Sequence, residues 1–173
     1  MNTDKFAGIS LALLLAGCAT TQVPEALRPE ANQKLALVVH AKGEQIYECR
    51  ERKDQLADQP VAYDWAFVAP QAGLFDGHGK QIGKHYAGPS WEAADGSKIV
   101  GKVKQGAAAP TAGNIPWLLL DAKSAGKDGA FSRFTSVQRV ATVGGVAPPN
   151  GCPLAGYRIE IPYTADYYFF TAK

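Results

Sequence analysis

The stretch from His85 to Ser97 combines the residue types that a binding or catalytic site needs. It contains an imidazole, two aromatic rings, two carboxylates and a hydroxyl group, on His85, Tyr86, Trp91, Glu92, Asp95 and Ser97. Aromatic rings stack on sugars and peptides at binding surfaces, and a pair of carboxylates can serve as acid and base in glycoside hydrolysis. These six residues are therefore candidate ligand-binding residues, and Glu92, Asp95 and His85 are also candidate catalytic residues.

Each of these candidates also has a purely structural interpretation. Asp95-Gly96 is a strong signal for a two-residue hairpin turn, so Asp95 can serve the turn while Glu92 stands on a solvated strand edge. Trp91 can equally belong to the core. A functional site requires that the side chains of His85, Glu92 and Asp95 converge in the folded chain, and a purely structural role does not.

Other kinds of site chemistry have weaker support in the sequence. His78, His85 and Glu92 could bind a metal, but no HxH or HxxxH spacing accompanies them, so we expect none. Ser90 lacks the G-x-S-x-G context of a serine hydrolase. The glycine-rich stretch 77–83 precedes a strand pattern instead of a helix, so we expect no nucleotide or other cofactor. A formal net charge of +2 without blocks of like charge does not suggest a nucleic-acid partner.

Residues 1–17 have the pattern of a lipoprotein signal peptide. Their apolar run, Phe6–Ala16, is too short to cross a hydrocarbon core of roughly 30 Å. It closes on Leu15-Ala16-Gly17-Cys18, which resembles the bacterial lipobox, in which the cysteine is acylated. This resemblance implies an exported protein anchored to the membrane through Cys18, and Ala19 after the cysteine resembles an outer-membrane address facing the periplasm. The alternative is an ordinary secretory signal with a chance cysteine.

Removal of residues 1–17 leaves 173 − 17 = 156 residues, enough for one domain. Residues 18–33 are rich in proline and polar residues and are expected to form a flexible tether, which makes 34–173 the domain. Once Cys18 is used by the anchor, Cys49 and Cys152 remain. In an oxidising compartment these two are expected to form a disulfide, the alternative being two free buried thiols.

Short strand patterns recur between glycine, proline and aspartate turns from Lys34 onward. The expected strands are Leu35–His40, Gly43–Arg50, Tyr63–Ala69 (stopped by Pro70), Gln81–Ala87, Ser90–Ala94, Lys98–Lys104, Pro116–Asp121, Phe131–Val143, Tyr157–Ile161 and Tyr163–Ala172. The links between them are too short for crossover helices. The pattern predicts an all-β fold, a single antiparallel β-sandwich or β-barrel domain with little helix.

Several motifs occur in a fixed order along the domain. They are Gly43-Glu-Gln-Ile-Tyr-Glu-Cys49, Trp65-Ala-Phe-Val-Ala-Pro70, Gly83-Lys-His-Tyr-Ala-Gly-Pro-Ser-Trp-Glu92, Asp95-Gly-Ser97, Ile115-Pro-Trp-Leu-Leu-Leu120, Gln138-Arg-Val-Ala-Thr-Val-Gly-Gly145, Gly151-Cys152 and Tyr163-Thr-Ala-Asp-Tyr-Tyr-Phe-Phe170. From about Leu35 to Phe170 the chain thereby resembles the exported family called domain of unknown function 3455. The resemblance implies one exported domain with paired cysteines and brings no activity with it.

The function expected from these observations is a non-catalytic binding or envelope-structural role. The partners would be the membrane, through Cys18, and an envelope ligand or protein that the sequence does not identify. A hydrolase that acts on envelope polysaccharide or peptide through Glu92 and Asp95 is the alternative.

The acylation of Cys18 predicts that Cys18→Ser abolishes incorporation of a clickable palmitate analogue in bacterial cells, because the lipid acceptor is then missing. Cys49→Ser is the matched control and should retain the label. Absence of label from the wild-type protein, checked against its intact mass, would contradict the prediction.

Overall fold

The computed structural model describes residues 22–55 and 60–173. The expectations for residues 1–21, which include the signal peptide and the acylation of Cys18, lie outside the described residues. The strands are β1 Gln33–Glu51, β2 Tyr63–Phe75, β3 Gln81–Tyr86, β4 Ser90–Ala93, β5 Lys98–Ala107, β6 Trp117–Ser124, β7 Ser136–Gly144 and β8 Arg158–Ala172. No helix among the described residues has the length and apolarity needed to cross a bilayer.

The eight strands form one closed antiparallel barrel. Each strand pairs with the next in sequence, and β8 returns to pair with β1. The all-β antiparallel prediction is confirmed, and closure decides for a barrel over a sandwich. The Asp95-Gly96 turn joins β4 to β5 as expected, with Gly96 at a φ of 81°, where glycine is favoured.

Two expected strands are in fact one. Leu35–His40 and Gly43–Arg50 belong to the single strand β1. Gly43 continues the strand because β2 approaches it so closely that a Cβ there would lie 2.0 Å from the backbone oxygen of Gln71. The glycine marks a close backbone approach within the ladder and not a break between strands.

The prediction that the strand beginning at Tyr63 ends before Pro70 is also wrong. β2 runs through Pro70, which is buried and pairs with Gln45 of β1. On the other side, β3 pairs with β2 only from Ala72 to Phe75. Pro70 thus lies where one edge of β2 has no neighbouring strand, a position at which proline is tolerated.

The long strand expected over Phe131–Val143 is shorter in the structure, because β7 begins at Ser136. Phe131 and Phe134 lie in a buried turn before β7, and their rings pack on Phe169 with centroids 5.3 and 5.0 Å apart. At the C-terminus the two expected strands merge into β8.

The alternation of strand direction gives the barrel two different ends. The loops β1–β2, β3–β4, β5–β6 and β7–β8 share one end, here called the open end, and the remaining turns share the closed end. The turn that carries Phe131 and Phe134, here called the phenylalanine turn, fills the closed end. A disulfide between Cys49 and Cys152 ties β1 to the β7–β8 loop at the open end, which confirms the expected pairing.

Residues 22–32, here called the N-terminal strap, differ from the flexible tether expected for 18–33. The strap contains a 3-10 helix, Glu25–Leu27, and Leu27 is completely buried against the outer face of the barrel. Its apolar cluster there consists of Leu27, Trp117, Leu119 and Val140. Gln138 also donates a hydrogen bond from Nε2 to the Leu27 carbonyl, at 2.6 Å. The composition of residues 18–33 does not predict that this segment packs on the barrel, because a single leucine, Leu27, makes the contact.

The start of the strap also packs on the barrel, because Val23 lies against the outer cluster that contains Leu27 and Trp117. The strap then leads into β1 at Gln33, which lies at the closed end.

The buried position of Leu27 predicts that Leu27→Ala lowers the free energy of unfolding by about 2–5 kcal/mol, the usual cost of a large-to-small change at a fully buried site. Leu154→Ala is the control, because Leu154 is 65% exposed and its loss should cost less than about 0.5 kcal/mol. Urea denaturation of the oxidised protein measures both. Equal effects would show that the strap is not part of the cooperative unit.

Candidate ligand-binding site

A cavity of about 540 Å³ lies inside the barrel towards its open end. Its wall is formed by Gln45, Tyr47, Phe67, Val68, Pro70, His85, Ala87, Gly88, Pro89, Trp91, Val103, Ile115, Pro116, Leu118, Leu120, Arg139 and Tyr167. Most of these side chains are apolar, and a few polar groups stand among them. Both the volume and this mixture are typical of small-molecule sites, which measure roughly 300–1,000 Å³.

The cavity is reached through a gap in the barrel wall. β3 and β4 are short. Between their connecting turn and the open end of the barrel, the edges of β2 and β5 that face each other have no neighbouring strand. Phe67 and Val68 of β2 border this gap on one side and Val103 of β5 on the other. All three line the cavity and are exposed, Phe67 and Val103 by 51% and 53%. The gap is therefore an opening with apolar edges.

A β-bulge places two adjacent side chains of β2 on the cavity side. Ile46 pairs with Ala69 and Tyr47 with Phe67, so Val68 is the extra residue. Tyr47 and Phe67 then meet edge to face, with ring centroids 5.7 Å apart. Because the side chains of a regular strand alternate between its two faces, the sequence predicts opposite faces for Phe67 and Val68 and does not indicate that both line one site.

His85 and Trp91 contribute a stacked pair of rings to the cavity wall. They are directly opposite residues of β3 and β4, their centroids are 4.6 Å apart, and both are buried. His85 Nδ1 lies 2.8 Å from the Ser90 carbonyl oxygen, so Nδ1 carries the proton that it donates. Burial lowers the pKa of His85 to about 3, which keeps the imidazole neutral at neutral pH.

Several buried polar atoms of the interior have no hydrogen-bond partner among the described residues. They are Gln45 Nε2, Trp91 Nε1 and the hydroxyls of Tyr163 and Tyr167, while Trp117 Nε1 is in the same state in the outer cluster. Gln45, Trp91 and Tyr167 line the cavity. Buried polar groups nearly always have partners, and an unsatisfied one costs about 1–3 kcal/mol. Three such groups on one wall mark it as a place where a bound molecule can supply the missing partners.

Tyr86 and Glu92 lie on the outer face of the barrel, opposite to His85 and Trp91. The Tyr86 hydroxyl donates to Glu92 Oε2 at 2.6 Å, and Lys84 Nζ lies 3.1 Å from Glu92 Oε1. The hydrogen bond from Tyr86 and then the one from Lys84 lower the pKa of the Glu92 carboxyl group. Glu92 is therefore an ionised acceptor in a surface cluster.

Asp95 and Ser97 serve the turn at the closed end. Asp95 accepts hydrogen bonds from the backbone N–H and the hydroxyl of Ser97 and from the backbone N–H of Ala130. These bonds, led by the Ser97 hydroxyl, lower the pKa of Asp95 to about 2. The Ser97 hydroxyl oxygen in turn accepts from the backbone N–H of Phe131. The pair thus fastens the β4–β5 turn to the phenylalanine turn.

The structure does not bring the three candidate catalytic residues together. His85 faces the cavity, Glu92 the outer surface and Asp95 the turn, each within its own hydrogen bonds. The candidate ligand-binding set divides in the same way. Of the six candidate ligand-binding residues, only His85 and Trp91 line the cavity.

Arg139 of β7 is a site residue that the sequence reasoning missed. Its Nε and Nη2 donate to the Pro116 carbonyl oxygen at 3.1 and 2.8 Å, and it lines the cavity. The available signal was its place in the alternation of β7. Arg139 falls on the same face as the fully buried Val137, where a charged residue is unusual.

The family model described as "Protein of unknown function (DUF3455)" matches residues 29–171. The chain belongs to this family. The membership confirms the resemblance seen in the ordered motifs. No match was found among curated proteins, and none among solved structures. Within residues 22–55 and 60–173, no three His, Cys, Asp or Glu side chains are grouped as metal ligands.

The buried neutral state of His85 predicts a specific acid sensitivity. The pKa of His85 is about 3 when folded and 6.5 as the ordinary value, so the unfolded chain binds the proton first and stability falls as the pH drops below 6.5. Between about pH 7 and pH 4 the wild type should lose on the order of 3 kcal/mol more than His85→Gln.

His78→Gln is the control, since His78 is exposed in the β2–β3 turn and its replacement should not remove the loss of stability that His85 causes below pH 6.5. Urea titrations at each pH provide the free energies of unfolding. Parallel curves for the wild type and His85→Gln would contradict a buried neutral imidazole.

Proposed function

We propose that this domain is a non-catalytic binding protein whose ligand is a small, largely apolar molecule held in the barrel cavity. The observation that carries the proposal is the cavity itself, of about 540 Å³, apolar in most of its wall and accessible through the gap between β2 and β5. Polar atoms of Gln45, Trp91 and Tyr167 that have no hydrogen-bond partner among the described residues would orient the ligand.

The physics of the cavity favours an apolar occupant. Apolar surface removed from water contributes roughly 25 cal/mol per Å². The barrel ladder holds the wall in place, so little ordering free energy is spent when the ligand binds. Hydrogen bonds to the unsatisfied atoms then distinguish ligands with matching polar groups from plain hydrocarbons.

Binding without conversion is supported by the chemistry of the wall. Among the described residues that line the cavity there is no carboxylate, thiol, lysine or serine. The one imidazole, that of His85, is neutral and uses its Nδ1 proton on the Ser90 carbonyl. Glu92 and Asp95, on which the hydrolase alternative depends, belong to separate hydrogen-bond networks elsewhere, so that alternative gains no support.

We also propose that the protein is exported and anchored to the bacterial outer membrane through acylated Cys18. The lipobox-like sequence and the disulfide, which suits an oxidising compartment, support this. Val23, which packs on the outer cluster of the barrel, lies only 23 − 18 = 5 residues after Cys18, a reach of at most about 18 Å. An anchored barrel would therefore lie close to the membrane surface, where apolar molecules concentrate.

The neutral fluorophore N-phenyl-1-naphthylamine tests the cavity as a binding site. Titration into the purified domain should give saturable fluorescence, and Val103→Arg should weaken binding at least about tenfold, because it places a charge in the gap and fills it. Leu35→Arg is the matched control. Leu35 is exposed to a similar degree, 49% against 53%, but stands in β1 towards the closed end.

Circular dichroism confirms that both variants fold. The proposal fails if the folded wild type shows no saturable binding, or if Val103→Arg and Leu35→Arg behave alike.

A further inference from the structure

Arg139 is the charged residue that lines the cavity among the described residues. It stands directly opposite Tyr167 in the β7–β8 ladder and beside Leu118 of β6. Its side chain is partly buried, and its guanidinium is fixed in position by two hydrogen bonds to the Pro116 carbonyl oxygen. Arg139 is thus a cation held in place beside an apolar space.

The charge of Arg139 has no counter-charge in the described part of the chain. None of the ion pairs there includes Arg139. Two N–H groups of the guanidinium donate to the Pro116 carbonyl oxygen, and the Tyr167 hydroxyl lies close enough to interact with the guanidinium, but no carboxylate of the described residues pairs with it. The positive charge acts on the hydroxyls of Tyr47, Tyr163 and Tyr167, favouring their ionised forms, although burial outweighs it and raises each pKa.

An unpaired cation in such surroundings favours an anionic ligand. An anion beside the partly buried guanidinium forms charge-assisted hydrogen bonds with it, which are about twice as strong as hydrogen bonds between neutral groups. The other titratable side chains among the described residues of the wall are His85, Tyr47 and Tyr167, which are neutral at neutral pH. The described wall therefore carries one positive charge. Tyr167, which stands opposite Arg139 in the ladder, offers its hydroxyl as a further donor.

We infer that the ligand is a monocarboxylate with an apolar body, its carboxylate bound by Arg139 and its hydrocarbon part packed on the apolar wall. This inference rests on the proposed function and names the class of ligand within it. The planar guanidinium matches a carboxylate in charge and in geometry. A phosphate dianion would call for a second cation, which the described wall lacks.

Isothermal titration with decanoate and decanol near pH 7.5, below their aggregation limits, tests the inference. These two probes share the same chain length and differ in their polar end. The wild type should bind decanoate at least about tenfold more tightly than decanol, since hydrogen bonds to charged groups contribute about 1.5–3 kcal/mol. Arg139→Gln should remove that preference, so that the ratio of decanoate affinity to decanol affinity falls to about one.

Arg133→Gln is the matched control. Arg133 is an exposed arginine of the turn at the closed end, and its loss should leave both affinities unchanged. Arg139→Lys keeps the charge without the planar fork and should retain only part of the preference for decanoate. If Arg139→Gln does not fold, the decanoate-to-decanol ratio in the wild type and in Arg139→Lys decides.

The outcomes separate the two proposals. Equal affinities of the wild type for decanoate and decanol, or an unchanged preference in folded Arg139→Gln, overturn the carboxylate assignment and leave the apolar binding site standing. Failure of both probes and of the neutral fluorophore to bind overturns the proposed function itself.

Discussion

The pairing of β8 with β1 is the constraint on which the rest of the structure depends. It joins the two longest strands, of 19 and 15 residues, and brings Gln33 beside Ala172, near the two ends of the described domain. Closure removes both edges that an open sheet would expose. It also directs every inward side chain towards one shared interior, so residues from distant parts of the chain form a single wall. Without this ladder there would be neither a core nor a cavity.

Unequal strand lengths divide that interior into a packed part and an empty part. At the closed end Phe131, Phe134 and Phe169 interlock and provide the dense packing expected of a core. Towards the open end β3 and β4 stop early while β2 and β5 continue, so the wall lacks two strands there. The packed core and the cavity thus lie at opposite ends of one barrel, and the disulfide of Cys49 and Cys152 reinforces the end that is less well packed.

Period-two alternation was enough to predict the class of fold, and it failed where the backbone departs from local rules. The sequence predicts that a new strand begins at Gly43 and that another ends before Pro70, but a close backbone approach and an unpaired edge let β1 and β2 continue through these residues. Closure could not be predicted, because it depends on pairing between segments more than a hundred residues apart. The Asp95-Gly96 turn and the disulfide were predictable because a turn is local and only two cysteines remained.

The candidate site was half predictable for the same reason. His85 and Trp91 were selected for their chemistry, and the structure places both on the cavity wall. Tyr86 and Glu92 follow them immediately in sequence, and because β3 and β4 have no bulge there, these neighbours face the opposite side and lie outside the cavity. Three further wall residues come from different strands, Gln45 from β1, Arg139 from β7 and Tyr167 from β8. They lie on one wall because β8 pairs with both β1 and β7. No spacing in the sequence connects them.

The unsatisfied atoms of the cavity link binding to the stability of the barrel. Gln45, Trp91 and Tyr167 carry polar atoms without a hydrogen-bond partner among the described residues, and a hydrogen bond from a ligand to one of them would contribute about 0.5–1.5 kcal/mol, which is appreciable beside the roughly 5–15 kcal/mol of a folded domain. The fold tolerates them because the closed ladder, the strap and the disulfide hold the wall without help from its interior. A ligand that supplies the missing partners binds the folded barrel and not the unfolded chain, so its binding free energy adds to the stability of the fold.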